Sequence, residues 1–368
     1  IGIPQIPGSS IRTAEEALNV AHHLGYPVIL RPSFVLGGVG MEIVYGPQEL
    51  ATYIGAALEA AAIHTGYRAG GGIRWTRSSP SIFLSKFISG TEVEVDALCD
   101  GARILIPGIM EHVERAGVHS GDSIAIFPSL HLSHQEKRKV EELTAAIARR
   151  LSIRGLLNIQ FIVEPTNGIE PRVYVLEVNP RSSRTIPFIS KATGIQMAKI
   201  ATKVMLGYPL DDLGFRDAPD GLWDVPTAYS VKAPVFSMAK LPGVDTYLGP
   251  QMRSTGETMG IDPDPEQALS KARLSAGLTV PREGAVLISL ADRDKDQAHE
   301  LIQEIGRRKL EIFATPGTAL MINAMGLAVN SVARTLEQGH PNSVDLIASG
   351  SVSCVINTPG DPLGRATR

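Results

Sequence analysis

Between residues 156 and 184 the chain reads LLNIQFIVEPTNGIEPRVYVLEVNPRSSR, two apolar, β-branched runs that also carry Gln160, Glu177 and Asn179. Side chains alternate faces along a strand, so Asn158 and Gln160 share one face of the first run, and Glu177, Asn179 and Arg181 one face of the second. A carboxylate and amide oxygens converging on one face are hard ligands suited to Mg²⁺ or Mn²⁺, and an arginine beside them can hold a phosphate. That is nucleotide chemistry. The same alternation also fits the solvated face of an antiparallel pair that needs no ligand.

Positioning such groups requires a hairpin. Asn167-Gly168 and two prolines between the runs predict one with a long loop, and Leu157, Ile159 and Phe161 then point the other way, into a core. Upstream, Ser10 or Thr13 caps a helix with apolar residues at Ala17, Leu18, Val20, Ala21 and Leu24. The run Val28-Ile29-Leu30 then delivers Arg31 to the end of a strand, ahead of a glycine-rich turn at 37–40. Those glycines let backbone N–H groups approach an anion, although the turn lacks G-K-[ST] and is no Walker A motif. A helix over 47–65, a glycine-rich loop at 66–72 and a strand over 82–87 follow, and 133–151 reads as an amphipathic helix with Val140, Leu143, Ile147 and Leu151 on its apolar face. His119 lies between two glycines in GVHSGDS, where a structural role and a site role are both open. From Ala285 a strand, a helix over 294–306, a strand over 311–314 and a helix opening at Pro316 predict a parallel α/β sheet. Thr315 and Thr318 at that helix start fit either a plain cap or an anion site.

With 43% hydrophobic and 20% charged residues, the 368-residue chain has the composition of a soluble globular protein with room for two or more domains. A formal net charge of −3 gives no support for nucleic acid or an acidic membrane as partner, and no run is apolar enough to span a bilayer. Two cysteines, Cys99 and Cys354, far apart in sequence, suggest reduced thiols in a cytoplasmic setting. The chain opens at Ile1 directly into patterned sequence and is expected to be a fragment.

The motifs EVNPRSSR (177–184) and RTIPFISKATG (184–194), with RPSFVLGG (31–38), GVHSGDS (117–123) and GPQMRSTGETMG (249–260), resemble ATP-grasp enzymes. In particular they are similar to the second synthetase half of the carbamoyl phosphate synthetase large subunits, and the likeness covers nearly the whole chain. It implies an α/β and α+β fold: an ATP-grasp domain at 1–207, a closing segment at 208–280 and a truncated methylglyoxal-synthase-like parallel α/β domain at 281–368. It implies ATP-binding roles for Arg31, Lys86, Ile88, Glu92, Gly117, Val118, His119, Ser120, Gln160 and Glu177. Gln160, Glu177 and Asn179 would hold Mg²⁺ or Mn²⁺, and Arg181 and Arg184 would be catalytic. Ser289, Lys295, Thr315, Gly317, Thr318, Asn357 and Thr358 would line an effector site. The chain departs from the family at Val39, where a basic residue is common, and near Thr335, where a lysine is missing.

The implied activity is ATP-dependent phosphorylation of carbamate to carbamoyl phosphate, in glutamine-dependent synthesis serving pyrimidine and arginine routes. The implied partners are a glutaminase subunit or domain, an N-terminal synthetase half and an allosteric metabolite, with an oligomer expected when complete. Two alternatives stand beside it: the bicarbonate-activating half, and a nucleotide- and effector-binding module that, as a fragment, is without turnover.

Overall fold

The computed structural model describes residues 2–32, 37–64, 81–165, 170–223, 228–237, 248–279, 281–334 and 339–358, apart from the side chains of 59–64 and 293. The glycine-rich stretch 66–72, the hairpin turn at Asn167-Gly168 and Thr335 lie outside them. The chain divides into two compact units, 1–278 and 279–368.

The first unit holds two sheets. The smaller comprises β1 (Gly8–Ile11), β2 (Val28–Pro32), β3 (Glu42–Val44) and β4 (Ile82–Lys86) in the antiparallel order β1-β4-β2-β3. Helices α1 (Ala14–Leu24) and α2 (Pro47–His64) cover it, burying Ala17, Ala21, Leu50 and Ile54 against Val28, Leu30 and Leu84. Thr13, not Ser10, caps α1 by accepting the Glu16 N–H; Ser10 is inside β1.

The larger sheet is built from β5 (Thr91–Asp100), β6 (Ile104–Ile106), β7 (Ile109–His112), β8 (Ala125–Phe127), β9 (Arg154–Glu164), β10 (Arg172–Asn179), β11 (Gly221–Leu222), β12 (Tyr229–Val235) and β13 (Gly256–Asp262). Its main path runs β10-β9-β5-β7-β8-β12-β13. Helix α3 (His134–Arg150) carries a Ser133–Glu136 capping box and packs Val140, Leu143 and Ile147 onto Leu157, Ile159 and Phe161. Fully burying side chains of that size is worth about 1.5–3 kcal/mol each, which fixes the register of β9 and therefore the outward face that carries Asn158 and Gln160. Leu151, expected on the buried face of this helix, is 53% exposed because the helix has already ended at its C-cap. On the other side of the sheet, α4 (Ile186–Thr193) and α5 (Met197–Met205) bury Phe188, Met197 and Val204 against Leu98 and Phe127. Helix α6 (Pro265–Ser275) covers β12 and β13.

The second unit is a parallel sheet in the order β16-β15-β14-β17, made of β14 (Ala285–Ser289), β15 (Glu311–Ala314), β16 (Asn330–Ser331) and β17 (Cys354–Asn357). Helices α7 (His299–Arg307), α8 (Pro316–Ala324) and α9 (Ser343–Ala348) accompany it. The helix expected over 294–306 is α-helical only from His299; 3₁₀ turns at Asp292–Asp294 and Asp296–Ala298 lead into it.

Candidate active site

The hairpin forms as its alternation requires, with Glu177 opposite Gln160 and Asn179 opposite Asn158. Strict alternation, however, would put Val173 and Val175 on the same face as Glu177. A bulge between Val175 and Glu177 resolves the conflict: Leu176 is the extra residue, so Val173 and Val175 pack into the core while Glu177 and Asn179 face the cavity.

That cavity, about 360 Å³, lies within the first unit. It gathers Arg31 from β2, Glu92 and Glu94 from β5, residues 117–121 from the loop after β7, and Asn158 and Gln160 from β9. Glu177 and Asn179 from β10, and Arg181 and Arg184 from the turn after it, complete this wall. Lys86 and Ile88 are not among its lining residues. The Lys86 ammonium instead donates to the carbonyls of Gly25 (2.8 Å) and Tyr26 (3.1 Å).

Each polar group has a distinct environment. Among the described residues, the Arg31 Nε is buried without a hydrogen-bond partner, a donor disposed toward an oxyanion. Burial lowers the Arg31 pKa, and the Glu92 and Glu177 carboxylates partly oppose that. Gln160 donates from Nε2 to the Ser120 hydroxyl at 2.9 Å, which leaves its carbonyl oxygen for another partner. Arg181 donates to the Asn179 side-chain oxygen at 3.1 Å, and Arg184 pairs with Glu257 at 3.3 Å while touching the Met252 sulfur. His119 Nδ1 accepts the Gly121 N–H at 3.0 Å, and burial lowers its pKa, so the ring is neutral with its proton on Nε2. Gly117 adopts φ +91°, and a Cβ there would meet Ile43 at 2.5 Å. Its N–H donates to Glu92 at 2.8 Å, so this carboxylate shapes the loop as well as lining the cavity.

Two features escaped the sequence reading. The first is a buried polar layer beneath the cavity. Asn158 donates to both Glu94 (2.7 Å) and Asp96 (2.9 Å); Asp96 also accepts from Ser183 (2.7 Å) and Thr185 (2.6 Å), anchoring the turn between Arg181 and Arg184. Burial, with the Glu94 charge added, pushes Asp96 up to about 7. His112 stands 3.7 Å from Glu92 and 3.5 Å from Glu94; burial opposes its charge, but the two carboxylates outweigh burial and raise it to about 9. The signal was present in Thr91–Asp96, where Glu92, Glu94 and Asp96 recur with period two.

The second is the part played by segment 249–257, whose sequence contributes only to the resemblance. Pro250 and Glu257 line the cavity, and the Gly249 carbonyl accepts the His119 N–H at 2.8 Å. The Met252 N–H donates to Gly37 at 2.9 Å, and both oxygens of the fully buried Asp122 accept backbone N–H groups, from Arg253 and Ser254, each at 2.8 Å.

Gln160, Glu177 and Asn179 form a mixed amide and carboxylate set. Among the described residues no cluster of three or more His, Cys, Asp or Glu side chains could hold a metal ion. The chemistry of the mixed set fits a hard divalent cation that takes its remaining oxygens from phosphate and water. In the second unit, a cavity of about 340 Å³ gathers Ser289, Lys295, Thr315, Gly317, Thr318 and Thr358, but not Asn357, which is exposed. There Lys295 donates to the Gly317 carbonyl at 2.9 Å and pairs with Asp292 at 2.6 Å, while the buried Thr318 hydroxyl accepts the Leu290 N–H at 2.9 Å.

The model of the carbamoyl-phosphate synthase L chain ATP-binding domain matches residues 1–213, more than half the chain. The chain belongs to that family. An MGS-like domain model matches residues 297–365. The carbamoyl phosphate synthase large chain of Thermomicrobium roseum is 47% identical over 360 residues; the match takes in 98% of this chain and 31% of that protein, so the chain spans about a third of its curated relative's length. Among solved structures, biotin carboxylase from Campylobacter jejuni, in complex with a nucleotide, is similar over 74% of this chain and 62% of that one, at a TM-score of 0.56 and 20% identity. An ADP complex of N5-carboxyaminoimidazole ribonucleotide synthetase gives 0.53 at 15% identity, over 75% of this chain and 67% of that one. These likenesses establish the fold as ATP-grasp, with an MGS-like domain after it.

Proposed function

We propose that the cavity transfers the γ-phosphoryl group of ATP to carbamate, giving carbamoyl phosphate and ADP, as one step of a glutamine-dependent synthesis. The observation that carries this reading is the convergence of Gln160, Glu177 and Asn179 on a wall of the cavity that also holds the unpartnered Arg31 Nε. A carbamate oxygen attacks phosphorus in line with the β–γ bridging oxygen; the new P–O bond forms as the bridging bond breaks, and ADP leaves with the electron pair. Both reactants are anions, so positioning and charge screening dominate. Arg31, Arg181 and Arg184 supply fixed positive charge, and the neutral His119 offers its Nε2 proton to a phosphate oxygen. A divalent cation on Gln160, Glu177 and Asn179, when bound, supplies further charge neutralisation at the phosphate oxygens.

The resemblance to the second synthetase half, together with the MGS-like match at 297–365 after the ATP-binding match at 1–213, supports the carbamate-phosphorylating half over the bicarbonate-activating one. The cavity in the second unit, with Lys295 and the Thr315–Thr318 helix start, would bind an allosteric metabolite through a phosphate or a carboxylate. The test is formation of ATP from MgADP and carbamoyl phosphate. ATP that accumulates with the parent chain and not with Glu177→Gln supports the reading. MgADP binding without any ATP formation at saturating carbamoyl phosphate rejects the reaction for this chain by itself and leaves it a nucleotide-binding module.

A further inference from the structure

We propose that Lys232 is a further substrate-binding residue, whose ammonium group at the cavity floor holds an oxyanion of the small acceptor. This rests on reading the cavity as a phosphoryl-transfer site. Lys232 lies mid-strand in β12, paired with Ala125 of β8 and Met259 of β13, and is 1% exposed, yet it lines the cavity. Burying an ammonium in a sheet is unfavourable unless its charge and donors are matched, which makes an apolar residue the ordinary choice at such a position. An ammonium has three N–H donors. Among the described residues its hydrogen bond goes to the Ser120 carbonyl at 3.0 Å.

That bond places the charge next to the metal-ligand set, because the Ser120 hydroxyl accepts Gln160 Nε2 at 2.9 Å. The buried Glu94 carboxylate lies close enough for the ammonium to help hold it ionised against desolvation, alongside His112. The other cations of the cavity are guanidinium groups, planar forks that match phosphate oxygens; Lys232 is a compact point charge that suits a small carboxylate-like oxyanion.

The experiment measures initial rates of ATP formation from MgADP and carbamoyl phosphate for the parent and for Lys232→Met, which keeps the apolar stem. We expect the KM for carbamoyl phosphate to rise at least roughly tenfold while the KM for MgADP stays within about twofold. Lys232→Gln, whose amide can still donate to the Ser120 carbonyl, is read in the same way if the methionine variant folds poorly. Both KM values within twofold of the parent overturn the assignment and leave the reaction standing. An equal rise in both also overturns it, by moving Lys232 to the nucleotide phosphates. A parent that binds MgADP but makes no ATP removes the reaction, and this assignment with it.

Discussion

Replacing Asp122 by Asn tests whether segment 249–257 is part of the site's framework. The Asp122 carboxylate is fully buried and accepts two backbone N–H groups, from Arg253 and Ser254, at 2.8 Å each. Hydrogen bonds to a buried charged acceptor contribute about 1.5–3 kcal/mol each, and a buried donor left unsatisfied costs about 1–3 kcal/mol. Asparagine keeps one acceptor oxygen and turns an NH₂ group toward the second N–H, so one charged bond is lost, one becomes neutral, and two donors face each other. Together these amount to roughly 3 kcal/mol. Both tryptophans of the chain, Trp75 and Trp223, belong to the first unit, so tryptophan fluorescence during urea unfolding reports that unit alone. With a slope of about 2–3 kcal/mol/M, the midpoint falls by roughly 1–1.5 M. The same segment holds Gly37 and His119 through backbone bonds, so MgADP affinity falls as well. A midpoint shift below about 0.3 M at unchanged slope would refute the framework role.

The stability of the first unit should also depend on pH. His112, raised to about 9 from 6.5, stabilises fully below about 6.5 and loses that contribution as pH rises through 9; Asp96, raised to about 7 from 3.8, contributes below about 3.8 and loses it as pH rises through 7. The urea midpoint therefore declines from pH 6 to 9, His112→Gln flattens the upper part of the decline, and a midpoint that rises over this range contradicts the assignment. Gly38 has φ +70° and a Cβ there would lie 2.0 Å from the Pro250 carbonyl, so Gly38→Ala should weaken MgADP binding at least roughly tenfold by equilibrium titration. Unchanged affinity would dissociate this turn from the site. In the second unit, Thr318→Ala orphans the Leu290 N–H and should cost about 1–3 kcal/mol, whereas Lys295→Met should abolish binding of a nucleoside monophosphate with little loss of stability. Calorimetric melting and titration separate the two, and Lys295→Met binding as the parent does would exclude the ammonium from the effector site.

Local pattern made the hairpin legible, because β9 pairs with its sequence neighbour and its apolar face is continuous from Leu157 to Phe161. It did not reveal the bulge at Leu176: a run of apolar residues on both faces looks the same with or without one extra residue. The family motifs located Arg31, His119, Gln160, Glu177 and Asn179, which the fold does bring to one cavity. They gave no indication of how residues 249–257 contribute, because backbone groups there meet a carboxylate more than a hundred positions away and such bonds leave no local signature. Lys232 was hidden for a related reason. Only the pairing of β12 with β8 sets which side of the sheet its side chain enters. In the second unit the strand–helix alternation was sufficient for a parallel sheet, while the 3₁₀ turns before His299 depend on packing that periodicity does not encode.

Under the proposed function Glu177, with Gln160 and Asn179, binds ATP through a divalent cation. The most direct test is the tryptophan-monitored unfolding midpoint of the parent chain and of Glu177→Gln, each with and without ATP and Mg²⁺. At ligand concentrations about a hundredfold above Kd, binding should stabilise the parent by about 2.7 kcal/mol. This stabilisation should require Mg²⁺ and be lost in Glu177→Gln, whose midpoint without ligand should equal the parent's. No MgATP-dependent shift in the parent, or the same shift in both proteins, would contradict it.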